Sequence, residues 1–187
     1  MVFETRSGAR YRRRLPHFRS PGSVYHVRSS INTLFGRFNE EWMLEVVEYS
    51  VLFGHKKTNL LHAYMIMPNH IHLVIEPLPV TNTWNAWCDY RQFHRLENIV
   101  RRLKSYSGRA INKRLKRSGP VWLDEYFDRI VRDDIDLDTV IDYIHHNPVR
   151  WGLVEQPEQY RWSSMHTIYS GRKPFADWFE FELPAGV

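Results

Sequence analysis

The order of strand-like and helix-like segments predicts an α+β fold: a ferredoxin-like βαββαβ sandwich on an antiparallel sheet, with a further helix after it. Three observations carry this prediction. Short segments rich in β-branched and aromatic residues alternate along the chain with longer segments whose apolar residues recur at helical spacing. The second and third strand segments are separated only by the turn Met67-Pro68-Asn69, which makes them a hairpin. The last helical segment follows the fourth strand and has no strand after it.

Each element has its own reason. Residues 23–29 (SVYHVRS) alternate and hold β-formers, so they read as the first strand. Residues 40–53 follow Asn39, repeat Trp42, Val46, Val47, Val51 and Phe53 at helical spacing, and are closed by Gly54. Residues 60–67 (LLHAYMIM) are an apolar strand, and residues 70–76 (HIHLVIE) alternate as the returning one. After a loop over 77–82, Leu96, Ile99, Val100, Leu103, Ile111 and Leu115 mark a helix over 96–115, and Ser118-Gly119-Pro120 breaks it. Residues 126–131 read as the fourth strand and residues 136–147 as a helix stopped by Pro148, with Leu137, Ile141 and Ile144 as its buried stripe.

Composition narrows the function classes. The chain has 187 residues, of which 43% are hydrophobic and 14% aromatic, enough for a core and too much for a disordered chain. The single cysteine, Cys88, excludes a disulfide framework and any cysteine-based zinc cluster. No apolar run approaches the roughly 20 residues of a membrane span. The start of the chain lacks the apolar core of a secretory signal, so a soluble, cytoplasmic protein is expected.

The balance is basic, with 26 Lys and Arg against 21 Asp and Glu, a net charge of +5. The excess is concentrated in two places. Arg6, Arg10, Arg12, Arg13, Arg14 and Arg19 stand near the start against one acid, Glu4; Arg101, Arg102, Lys104, Arg109, Lys113, Arg114, Lys116 and Arg117 follow one another with no acid among them. Two such segments suggest a surface for phosphates. The expected organisation is a basic, flexible arm over 1–20, a globular domain over 21–170, and an acidic tail over 171–187.

The most informative stretch is Met67-Pro68-Asn69-His70-Ile71-His72-Leu73-Val74-Ile75. On a strand, His70 and His72 share one face while Ile71, Leu73 and Ile75 take the other. A lone strand histidine is usually structural. Two imidazoles at this spacing are also placed to hold one cation through neutral nitrogens, so that protonation near pH 6 would weaken the metal. A second stretch, Asp142-Tyr143-Ile144-His145-His146-Asn147-Pro148, puts Tyr143 and Asn147 four residues apart on one border of a helix. They read either as an edge residue with a C-cap, or as a phenol nucleophile with an amide beside it. Asp134, Asp136 and Asp138 imitate the start of a calcium loop, but Thr139 stands where glycine is required and His145 where glutamate is, so these acids charge a helix N-terminus instead.

The two stretches together carry a family resemblance. MPNHIHLVIE resembles the His-hydrophobe-His signature of single-tyrosine transposases. DYIHHNPVRWGLV, followed by PEQYRWSS, resembles the C-terminal signature of their REP-associated branch, with LKSYSGRAIN and the segment 122–126 between them. The resemblance covers roughly 23–169 and leaves out the arginine-rich start and the acidic end. Residues 81–94, with Trp84, Trp87 and Tyr90, look like an insertion, and the basic helix carries Tyr106 alone.

The resemblance implies an enzyme that cuts and rejoins single-stranded DNA beside palindromic hairpins. His70 and His72 would hold Mg²⁺ or Mn²⁺, Asn147 would complete the metal shell, and Tyr143 would attack phosphorus to leave a 5′-phosphotyrosine link. Arg12, Arg13, Arg14, Arg101, Arg102, Lys104, Arg109 and Lys113 would follow the DNA backbone, and Trp84, Trp87 or Trp122 would stack on bases. The resemblance leaves monomer and homodimer open. A phenol of ordinary pKa, about 10, needs such help as a nucleophile at neutral pH. Two rival classes stand beside this reading: a non-catalytic single-stranded nucleic-acid-binding module with a ferredoxin-like sheet, and a metal-dependent hydrolase that uses water.

Overall fold

The structure is a computed structural model that describes residue 20 and residues 22–80 and 92–166. The arm expected over 1–20 lies, except for Ser20, outside the described residues. So do Arg12, Arg13, Arg14, the tail over 171–187, and Trp84, Trp87 and Tyr90 of the insertion.

The elements run β1 (Tyr25–Ser30), α1 (Glu41–Leu52), β2 (Asn59–Met67), β3 (His70–Pro77), α2 (Leu96–Arg114), β4 (Phe127–Ile130), α3 (Asp134–His145) and a four-residue α4 (Asn147–Arg150). The sheet is antiparallel with strand order β2-β3-β1-β4. This is the expected βαββαβ sandwich followed by a helix.

Register assigns the two faces. Tyr64, Leu73 and Val27 are cross-strand partners, so they share a face with Ile71 and Ile75. Tyr64 donates its hydroxyl to Glu48 of α1 at 2.7 Å, which places α1 over this face. α2 packs against α1, with the Tyr49 and Tyr106 rings 5.6 Å apart. The opposite face carries His26, Arg28, His70, His72, Met65 and Arg129 and lies under α3. Most of both faces is buried, with Val27, Ile71 and Met65 fully enclosed, while Arg28 and Phe127 are exposed on the histidine face.

The last described segment docks α3. The Trp162 carbonyl accepts from Ile66 N–H at 2.9 Å and Ser163 bridges Met65, covering the outer edge of β2. Ser164 Oγ accepts from Tyr64 N–H at 3.0 Å and lies 2.6 Å from His145 Nε2, so the end of α3 is tied to the sheet through a buried serine.

Two local readings are corrected. The long helix does not run to Asn147: it ends at His145, with His146 as C-cap, and Asn147 opens α4 with Pro148 in its first turn. Proline starts a helix as readily as it stops one, because the first turn has no use for its missing N–H. The buried stripe of α3 is Val140, Ile144 and His145, with Leu137 and Ile141 only half-buried beside it. The acids at its start behave as expected: Asp133 accepts from Asp136 N–H at 2.8 Å, and Asp136 takes a two-pronged hydrogen bond from Arg129 at 2.8 and 2.9 Å. That guanidinium holds the Asp136 carboxyl well below the usual carboxylate range.

Candidate metal and nucleophile site

The hairpin between β2 and β3 delivers the histidines. Its turn is pinned from outside: Asn69 C=O accepts from Ile31 N–H at 2.9 Å and Pro68 C=O from Phe38 N–H at 2.7 Å. With the turn fixed, period-two alternation sends His70 and His72 to the α3 side and the aliphatics to the α1 side. The two rings meet at right angles, 4.9 Å between centroids, with their Nε2 atoms 3.1 Å apart. The opposite ring nitrogens are held as well. His70 Nδ1 donates to Asn69 Oδ1 at 2.6 Å, and His72 Nδ1 lies 2.9 Å from Nε2 of His26 on β1.

α3 brings Tyr143 over this cluster. Its ring stands edge-on to His72 at 6.1 Å and 89°, and 44% of the residue is exposed. Solvent and a substrate can therefore reach the phenol while the histidines beneath it are buried. The Arg150 guanidinium lies 4.7 Å over the Tyr143 ring, and the half-exposed Trp151 ring lies 5.9 Å from His70. Asn147 is buried, and its Nδ2 atom has no hydrogen-bond partner.

Burial governs the protonation of the cluster. Removal from water pushes His26 and His70 down to about 4, with Arg129 next in importance for His26 and Arg28 for His70. His72 falls to about 2 through burial, then the neighbouring His70 and His26. The sequence-based expectation of protonation near pH 6 is corrected accordingly: the rings stay neutral well below that value.

These residues fit a small divalent cation. Two nitrogens at right angles around one ion, each about 2.1 Å from it, stand about 3 Å apart, close to the separation of the two Nε2 atoms. Among the described residues no group of three or more His, Cys, Asp or Glu side chains forms a complete metal cage. The donor set is thus two imidazoles, which leaves coordination positions for substrate oxygens.

The other expected residues sit elsewhere. Arg101, Arg102, Lys104, Arg109 and Lys113 belong to α2, in the layer across the sheet from the histidines. Arg102 donates to Thr58 Oγ1 at 3.0 Å and Lys104 to the Asp124 carbonyl at 2.8 Å, while Arg109 and Lys113 are exposed. Tyr106 is in that same layer, against Tyr49, and burial raises its phenol. Trp122 is buried and donates to Ser107 at 3.0 Å, so it is core and corrects the base-stacking expectation. Sequence reasoning missed His26, Arg28, Arg150 and Trp151. The last two stand in the signature stretch next to Asn147, which was the available clue; His26 and Arg28 depend on strand register.

This is the α+β class in which a helix carries a tyrosine over a histidine pair on the sheet. The sequence model of the family described as "Transposase IS200 like" matches residues 22–147, and the chain belongs to that family. A curated relative, a putative REP-associated tyrosine transposase of Haemophilus influenzae (strain ATCC 51907 / DSM 11121 / KW20 / Rd), is 26% identical over 116 residues. That match takes in 62% of this chain and 64% of the relative's length. A solved structure described as a REP-associated tyrosine transposase bound to a REP hairpin superposes with a TM-score of 0.60 at 19% identity, over 96% of this chain and 98% of that one. No helix among the described residues is long and apolar enough to cross a membrane.

Proposed function

We propose that the protein is a metal-dependent tyrosine transposase that cuts and rejoins single-stranded DNA beside palindromic hairpins through a 5′-phosphotyrosine intermediate. The observation that supports it most is the meeting of Tyr143 with His72 on one sheet face, beside a histidine pair whose Nε2 atoms face each other. Family membership and the REP-associated relatives agree with it.

His70 and His72 would hold the cation, Mg²⁺ or Mn²⁺, with Asn147 as a further donor; the imidazoles favour Mn²⁺. When bound, the cation neutralises charge on the scissile phosphate. Tyr143 attacks phosphorus through its hydroxyl oxygen. The new O–P bond replaces the bond to the 3′ oxygen, which takes up a proton, and the phenolic proton passes to solvent at this exposed position. The phosphotyrosine conserves the ester, so a 3′-hydroxyl can reverse the step and join strands. Arg150 lies against the Tyr143 ring and Arg28 is exposed on the histidine strand face, so both are placed to attract the phosphate. The cations of α2, together with Arg12, Arg13 and Arg14, would engage DNA away from the cut.

The rival of a sheet reading bases through exposed aromatics rests on Phe127 of β4, the one exposed aromatic among the described strands. The test is incubation of the protein with a labelled hairpin oligonucleotide carrying a single-stranded flank, with and without Mn²⁺, followed by denaturing electrophoresis. A metal-dependent protein–DNA adduct with a free 3′-hydroxyl fragment is expected. Cleavage without an adduct would favour a water-using hydrolase, and binding without cleavage the non-catalytic module.

A further inference from the structure

The three histidine rings form a row whose proton positions are set from one end. Asn69 Oδ1 can only accept, so its 2.6 Å contact requires an N–H at His70 Nδ1. A neutral His70 then presents a lone pair at Nε2. The 3.1 Å contact between the two Nε2 atoms requires the N–H to be on His72. That leaves a lone pair at His72 Nδ1, and His26 Nε2, 2.9 Å away, must donate to it. Without a cation, every proton in the row points toward Asn69.

A cation shared by His70 and His72 reverses part of this row, because it needs the Nε2 lone pair of both rings. His72 must then carry its proton at Nδ1, and an N–H buried there requires an acceptor. The acceptor in reach is His26 Nε2, once His26 carries its own proton at Nδ1 instead.

We propose that His26 is a positioning residue for the metal site, switching tautomer together with His72: it donates to His72 Nδ1 before the cation binds and accepts from it afterwards. The inference rests on the proposed metal site. One proton crosses from His26 Nε2 to His72 Nδ1, one leaves His72 Nε2 for solvent, and one enters at His26 Nδ1. The sum is zero and no ring changes charge. The His26 and His72 rings lie end to end and nearly coplanar, with centroids 5.1 Å apart and 23° between planes, which holds the two nitrogens in line. A glutamine at position 26 could serve by turning its amide, whereas a leucine could not.

Long-range ¹H–¹⁵N spectra of the labelled full chain read each histidine tautomer directly, with Zn²⁺ as the diamagnetic probe. Without metal, His70 should carry Nδ1–H, and His72 and His26 Nε2–H. With Zn²⁺, His72 and His26 should both show Nδ1–H while His70 is unchanged. A bound state in which His72 switches and His26 does not would overturn the proposal, as would Nδ1–H on His26 before metal is added. Unresponsive His70 and His72 resonances would instead overturn the metal reading, and the switch with it. By calorimetry, His26→Leu should weaken Mn²⁺ binding about 10- to 100-fold and His26→Gln should recover most of that affinity. Equal affinities in wild type and His26→Leu, or equally weakened binding in both variants, would also count against it.

Discussion

The Tyr143 ring stands edge-on to His72, 6.1 Å and 89° away, although one residue comes from the helix that closes the fold and the other from the middle of the sheet. The phenol is exposed and the imidazole buried. The exposed phenol and the buried histidine pair can therefore be tested separately.

Replacing His70 or His72 by Ala should lower cleavage of a hairpin substrate by about a hundredfold or more, since the cation no longer stabilises charge at the phosphate. Hairpin binding, measured by gel shift, should change little, because the exposed cations of α2 lie in another layer. Full cleavage by the double variant at matched Mn²⁺ would remove the metal from the account.

Stability of the metal-free protein should fall as pH drops from 6.5 toward 4. His26, His70, His72 and His145 are all held below the ordinary histidine value, by burial first. In that window the unfolded chain binds protons that the folded chain refuses, so unfolding is favoured as acid is added. Thermal melts across this range should show Tm declining with a slope of more than one proton. A flat profile between pH 6.5 and 4.5 would mean the rings are not buried as described.

Ile144→Ala should destabilise the fold by about 2–5 kcal/mol, because Ile144 is fully enclosed where α3 meets the sheet. The exposed Ile135 on the same helix serves as the control, and Ile135→Ala should cost far less. Urea denaturation of both variants measures the difference. Comparable destabilisation in the two would contradict the docking of α3.

Arg109→Ala with Lys113→Ala should weaken hairpin binding uniformly across sequences. It should also flatten the slope of log affinity against log salt by about 0.9 for each phosphate that is no longer neutralised. Removing residues 1–20 should have the same kind of effect if that arm touches the backbone. An unchanged slope in both would leave these cations as a solvated surface.

Much of the fold was legible because its signals are local. Alternation over 70–76 placed His70 and His72 on one face, and helical spacing over 96–115 found α2 to within a residue. The break at His146 was missed because a proline that opens α4 looks the same in sequence as one that ends α3. His26 was invisible as a partner of His72 because their contact depends on how β1 aligns with β3, a non-local register. The basic run showed its charge but not its layer, so it gave no sign that α2 lies across the sheet from the histidines. Residue type alone suggests a base-stacker at Trp122, whereas its N–H finds Ser107 and its ring packs edge-on to Phe38.

The identity of the nucleophile is the central claim, and mapping the protein–DNA adduct tests it most directly. Tyr143→Phe removes one oxygen from an exposed ring, so folding and hairpin binding should survive. After incubation with a single-stranded hairpin substrate and Mn²⁺, mass spectrometry should find the 5′-phosphate on Tyr143 in the wild type and in Tyr106→Phe, and no adduct in Tyr143→Phe. An adduct that persists in Tyr143→Phe and maps to Tyr106 or another tyrosine would contradict the account and move the active site away from the histidine face.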